Sequence, residues 1–313
     1  MRLFIIGNGF DIAHNLNTSY GDFRDYLEKE NWEFLSSLEA MYGIAIGDWI
    51  DHIDEELWKK QIKNYLWRDF ESNLSKIDEV IIYNGEDIDL GLEGGDIGIE
   101  DTLDEYWKEQ YGFITKLNEY VMSWIKGVDI HSDRRTSIIG QEDNDKFLTF
   151  NYTLVLEEIY NIDENDIVHI HGSIDENDIS PVIGHGDREK IDEMTEISQE
   201  ASEEYNEKRS SIYNAVARYY RDTLKDVPQF LRENEHFFRS LNEVNDIYIV
   251  GHSLGDVDIP YFKEIRNSVN ADTMWNVYYY NEDDEVGYKE KILSIGVDEH
   301  NIRMLKSEEF FNL

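Results

Sequence analysis

The feature that most constrains this chain is a device used six times: a short apolar run that stops at a polar corner. Leu3 to Ile6 ends in Gly7-Asn8-Gly9. After Lys146 the pattern returns at Phe147 to Phe150, Ile167 to Ile170, Ile247 to Val250, Val277 to Tyr280 and, more weakly, Ile302 to Leu305. Runs of four or five apolar residues bounded by turn formers suit strands covered on both faces, which is the condition of a parallel sheet between helices. The expected fold is therefore α/β, a Rossmann-like parallel sheet flanked by helices, in a single α/β domain spanning 1–313.

Two helical insertions are expected, at about 20–145 and 188–243. In the first, Leu57, Trp58, Ile62, Leu66, Phe70 and Leu74 recur at spacings of three and four, predicting one helix over 55–77. A second helix is expected over 104–126. Between them the acidic 78–105 segment, with glycines from Gly85 to Gly98, reads as a loop whose spacing matches no EF-hand. In the second insertion Ile212, Ala215, Tyr219 and Leu224, followed by Phe230, Leu231, Phe237 and Leu241, predict a helical hairpin or cap.

Composition removes several function classes. The 313 residues carry 68 acidic and 29 basic side chains, a formal charge of -39, and no cysteine. Without cysteine there is no disulfide framework, thiolate zinc site, iron–sulfur cluster or cysteine nucleophile. The negative charge opposes binding to nucleic acid and to anionic membrane, both of which depend on clustered Lys and Arg. No apolar run is long enough for a signal-peptide core or a bilayer span, so a cytoplasmic location is expected.

In an open parallel sheet, ligands bind outside the carboxyl ends of the strands. The corners there are Gly7 to His14, Thr149-Phe150-Asn151-Tyr152-Thr153, His169-Ile170-His171-Gly172-Ser173 and Gly251 to Asp258, with Gly184-His185-Gly186-Asp187 besides. Five of the nine histidines, His14, His169, His171, His185 and His252, fall in these corners, the clustering of titratable groups that marks a candidate site. Strand alternation points His169 and His171 to the same face. His169, one step inside the strand, reads as a core histidine, and Asn151 by itself reads as a turn cap.

These corners, together with Thr18-Ser19-Tyr20-x-Asp22-Phe23 and Trp67-Arg68-Asp69-Phe70-Glu71, resemble the bacteriophage abortive-infection AbiH family over almost the whole chain. More remotely, the corners are similar to sirtuin-like NAD-binding proteins. The second resemblance implies NAD or a related nucleotide as substrate or ligand. It assigns Asn151 to orient the ribose or the attacking water and His171 to act as the base. It further implies that Gly7 and Gly9 approach the pyrophosphate, that Ser253 contacts phosphate or ribose, and that Asn8, Asp11, His14, Thr149, Gly172, Gly251 and Asp258 complete the nucleotide site. Neither a zinc module nor another metal is expected. A carboxylate at Asp11 would repel a pyrophosphate unless a cation intervened.

The implied activity is a nucleotide glycohydrolase in antiphage defence. The alternative is a non-catalytic nucleotide sensor or interaction module, with a phage-derived trigger, a partner protein or a homo-oligomer as its context. A remote third reading takes Gly251-His252-Ser253-Leu254-Gly255 as a serine-hydrolase elbow. Asp258 and Pro260 set the following helix too late for that motif, and His300 precedes the last strand, where a triad histidine should follow it.

Overall fold

The computed structural model describes residues 1–43, 55–78, 108 and 111–312. The chain divides into two compact units. One comprises Met1–Ser19, Val121–Val182 and Asp226–Leu313; the other comprises Tyr20–Tyr120 and Ile183–Lys225.

The first unit is built on a six-stranded, all-parallel sheet. Its strands are β1 (Arg2–Ile6), β2 (Lys146–Thr149), β3 (Ile167–His169), β4 (Asp246–Val250), β5 (Met274–Tyr279) and β6 (Ile302–Lys306), in the order β3-β2-β1-β4-β5-β6. Each strand expected from the sequence is present, and the order is that of a Rossmann-like sheet whose direction of winding reverses between β1 and β4. Both faces are buried because alternate residues serve opposite layers. Leu3, Ile5, Ile247 and Ile249 pack with Phe262, Ile265 and Trp275 on one side. Phe4, Ile6, Phe147 and Tyr278 pack with Phe10 and Phe310 on the other.

Register brings the corners together. Ile6 pairs with both Thr149 and Val250, and Thr149 pairs with His169, so four strands end on one line. At the β1/β4 junction the two corners touch backbone to backbone. The Gly7 N–H donates to the Val250 carbonyl at 3.0 Å and the Gly9 N–H to the Gly251 carbonyl at 2.8 Å. A Cβ on Gly251 would lie 2.2 Å from the Phe10 nitrogen, and its φ of +68° favours glycine independently.

The second unit uses the other quoted motifs for its own packing. Arg24 and Glu39, both fully buried, are joined at 2.7 Å, and the Trp67 indole N–H donates to the same Glu39 oxygen at 2.8 Å. Trp67 stacks on Phe70. Glu71 accepts from the Tyr20 hydroxyl and from the Lys225 ammonium, tying the first segment of this unit to the second. A helical hairpin is present in this stretch, but it is formed by helices Arg188–Glu203 and Glu207–Asp222, capped by Asp187 and Asn206, whereas the periodic residues from Phe230 to Leu241 belong to the first unit.

The single helix expected over 55–77 is broken. Glu55–Ile62 is followed by a π-type turn at Lys63–Trp67 and a short helix at Phe70–Asn73. The Asn73 amide occupies the Leu66 carbonyl at 2.9 Å and also reaches that of Tyr65, competing with the regular ladder. Of the helix expected over 104–126, the described part is a 3₁₀ turn at Gly112–Lys116 continuing as Leu117–Lys126. The acidic loop expected over 78–105 lies outside the described residues beyond Asp78.

Because the Gly251 contact is with backbone, no rotamer change relieves it. Gly251→Ala is expected to destabilise the fold by ~2 kcal/mol or more in denaturant unfolding. An unchanged midpoint would show that the two corners are not locked together.

Candidate functional site

At the carboxyl edge the side chains of the first unit sort into two groups. The first is centred on Asp11, 1% exposed, in the short helix Asn8–Ala13 that follows β1. Its Oδ1 accepts from the Asn151 amide at 2.8 Å and its Oδ2 from the Thr153 hydroxyl at 2.6 Å. The Asn151 amide also reaches the Gly7 carbonyl at 3.2 Å, and the Asn151 N–H donates to the Thr149 hydroxyl at 3.1 Å. With its nitrogen between two acceptors the amide has one orientation, and its Oδ1 is a buried acceptor with no hydrogen-bond partner. An unpartnered buried acceptor carries a penalty of ~1–3 kcal/mol.

Burial pushes the Asp11 carboxyl up to about 7, against the lowering effect of the Thr153 and Asn151 hydrogen bonds and the charge of His169. The carboxylate that would repel a phosphate is therefore held inward and is half neutral near pH 7.

The second group is lined by rings. The His171 Nε2 lies 3.1 Å from the Tyr261 hydroxyl and 3.9 Å from Asp258 Oδ1. The His252 Nδ1 accepts from the Leu254 N–H at 2.9 Å, which places its proton on Nε2, 3.4 Å from Asp258 Oδ2. Asp258 thus stands between two imidazoles, and Phe150 packs edge-on against both. Among the described residues no group of three or more His, Asp or Glu is placed to hold a metal ion.

His169 and His171 do not serve one face. β3 ends at His169, and the chain then turns through Gly172 at φ +79°, where a Cβ would lie 2.3 Å from the Ile179 carbonyl. His169 accordingly joins the Asn151 corner, whereas His171, 2% exposed, packs against Phe230 and Tyr261. A corner position does not keep His171 out of the core.

The remaining expected residues are dispersed. Asn8 donates to the Thr18 carbonyl at 2.7 Å. His14 turns away from the Asp11 group, with Nδ1 on the Phe10 carbonyl and Nε2 on the Tyr160 hydroxyl, both at 2.8 Å, and burial lowers its pKa. The N–H groups of Gly7 and Gly9, and the space beside Gly251, are taken up by the β1/β4 contact. His185 belongs to the second unit, where its Nε2 meets the Tyr220 carbonyl. Ser253 is exposed on a loop, and the helix after it begins only at Ile259, with His300 at the opposite, amino end of β6. That arrangement is not a nucleophile elbow with its triad. Sequence reasoning gave no role to Thr153, His252 or Tyr261, although the first two stand in the quoted corners.

A Rossmann-like sheet with polar groups gathered at the exits of β1 to β4 defines the class of this unit. The chain as a whole belongs to the bacteriophage abortive infection AbiH family, whose profile matches residues 3–279. Membership supports a role in abortive infection against phage. No curated protein and no solved structure matches the chain. Among the described residues no helix is long and apolar enough to cross a membrane.

The state of Asp11 is open to a direct test. With an ordinary value of 3.8 in the unfolded chain and about 7 in the folded one, the folded state binds more protons between those limits. The contribution of Asp11 to stability therefore falls as pH rises from ~4 to ~7 and then levels off. Asp11→Asn fits the same partners, its oxygen toward Asn151 and its amide toward the Thr153 hydroxyl, and is uncharged throughout. Relative to wild type it should gain stability across that window, by up to ~4 kcal/mol. Parallel curves in pH-dependent urea unfolding would show that Asp11 does not titrate there.

Proposed function

We propose that this protein acts in abortive infection through a nucleotide, NAD or a close relative, recognised at the carboxyl edge of its sheet, and that it hydrolyses the glycosidic bond. The observation that carries this reading is the Asn151 Oδ1, a buried acceptor with a fixed orientation and no partner, beside an imidazole–carboxylate pair at the next strand exit. An acceptor so placed suits a ribose hydroxyl or the attacking water. The residues fit the ribose side of a nucleotide better than its pyrophosphate, since the Gly7 and Gly9 N–H groups are already bonded within the fold.

In this scheme Asn151 orients the hydroxyl or water, and His171, held at Nε2 by the Tyr261 hydroxyl with Asp258 3.9 Å away, takes the proton. Water adds its hydroxyl to the anomeric carbon, and the base leaves with the electron pair of the broken bond. For NAD the leaving group is neutral nicotinamide, and the released proton passes to the imidazole. Asp258 stabilises the resulting imidazolium. Gly172 and Gly251 shape the corners by their positive φ, and Thr149 pins the Asn151 backbone.

The second reading, a sensor that holds a nucleotide without chemistry, is favoured by the burial of His171 among aromatic rings. One experiment separates the two. Purified protein is incubated with NAD, NADP and ATP, with and without phage-infected lysate, and products are resolved by chromatography. The expected result is loss of NAD with release of nicotinamide, reduced by ~10²–10⁴-fold in His171→Gln and in Asn151→Ala proteins whose unfolding curves show them to be folded. Undiminished turnover by folded His171→Gln would remove the mechanism, and saturable binding without products would establish the sensor.

A further inference from the structure

His169 lies outside the scheme above, yet its surroundings are unusual for a core histidine. Its ring is 8% exposed, with Nδ1 2.9 Å from the Asn151 backbone carbonyl and Nε2 2.7 Å from Glu157 Oε1. A backbone carbonyl can only accept, and so can a carboxylate. Both contacts are hydrogen bonds at once when the ring carries two protons, as an imidazolium. The other Glu157 oxygen is buried without a partner, so the charge of this carboxylate is answered chiefly by His169.

We propose that His169 is a positioning residue. As the imidazolium it holds the Asn151 carbonyl against Glu157, and so fixes the backbone from which the Asn151 side chain presents its oxygen. Four anchors then set that side chain: Gly7 and Asp11 on its amide, and the Thr149 hydroxyl and His169 on its own main chain. The ring is also reachable by protons. His169 and Glu157 form part of the wall of a cavity of about 760 Å³ beside the edge strand β3, which Asp163, Glu164, Asp175 and Asp178 also line. The groups bearing on the ring are Glu157 from helix Val155–Glu158, Asp178 from the loop after β3, and Asp11 from helix Asn8–Ala13. Burial alone lowers the His169 pKa, but the hydrogen bond and charge of Glu157, the Asn151 carbonyl and the charge of Asp178 outweigh it, so the ring is held above its ordinary 6.5. The charged form is therefore favoured to higher pH than in a free imidazole and is lost as pH rises through that raised value.

The consequence for turnover rests on the proposed function, whereas the positioning itself does not. The test therefore reads the corner directly. In ¹⁵N-labelled Asp11→Asn protein, which lacks the other group that titrates against Asn151, the His169 ring and the Asn151 side-chain amide are followed by NMR over pH. The Asn151 signal is assigned from its absence in a protein that also carries Asn151→Ala. The expected result is a doubly protonated His169 ring at pH 6.5 and an Asn151 amide that shifts with the same midpoint as the ring. Adding Glu157→Gln, which keeps an acceptor oxygen but removes the charge, should lower both midpoints together by ~1–3 pH units. A neutral ring at pH 6.5, an Asn151 signal indifferent to the ring, or midpoints unmoved by Glu157→Gln would each overturn the proposal. Co-titration in a protein that cleaves no nucleotide would leave the positioning role standing and the hydrolase reading fallen. With turnover present, wild-type kcat should decline at alkaline pH and Glu157→Gln should move that decline to lower pH.

Discussion

Everything at the carboxyl edge depends on the contact between the corner after β1 and the corner after β4. These strands are neighbours where the winding of the sheet reverses, the position at which an open α/β sheet usually leaves a crevice. Here the backbone at Gly9 meets the backbone at Gly251, with a hydrogen bond of 2.8 Å between them. Closing that junction carries the helix Asn8–Ala13 with it and puts Asp11 under the β2 corner, where Asn151 and Thr153 meet it. The buried carboxyl group, its raised pKa and the fixed orientation of the Asn151 amide all follow from two strands ending in register.

The strands were legible in the sequence for a simple physical reason. A strand covered on both faces has no polar side, so it appears as a continuous apolar run, and Leu3 to Ile6 and Ile247 to Val250 could hardly be anything else. The spacing over 55–77 predicts one helix because its apolar periodicity continues through the break. At the interruption one amide, Asn73, takes up carbonyls, and periodicity does not record which side chains compete with the backbone.

The site was legible by location and not by partnership. Corners could be expected to share an edge, and Asn151 and Gly7 are in hydrogen-bond contact. Histidine content, however, does not say where each ring goes. His14 and His185 have ring nitrogens bonded within their own packing, and both have lowered pKa values from burial. His169, read as a core residue, is buried, and its ring lies between a carbonyl and a carboxylate. The difference lies in Glu157, which only the folded chain brings to it.

The division of labour at this edge comes from where each strand ends. Were β3 to run on through His171, strand alternation would aim both imidazoles at one face and at a common set of partners. It stops at His169, and the turn through Gly172 sends His171 toward Tyr261 and Asp258. The β2 corner splits in the same way, with Phe150 against the rings of His171 and His252 and Asn151 against Asp11. Two adjacent residues thus face two environments: a polar one that fixes an acceptor, and an aromatic one in which a carboxylate is held between two histidines. Adjacent residues on one corner are the shortest connection a polypeptide can provide between them.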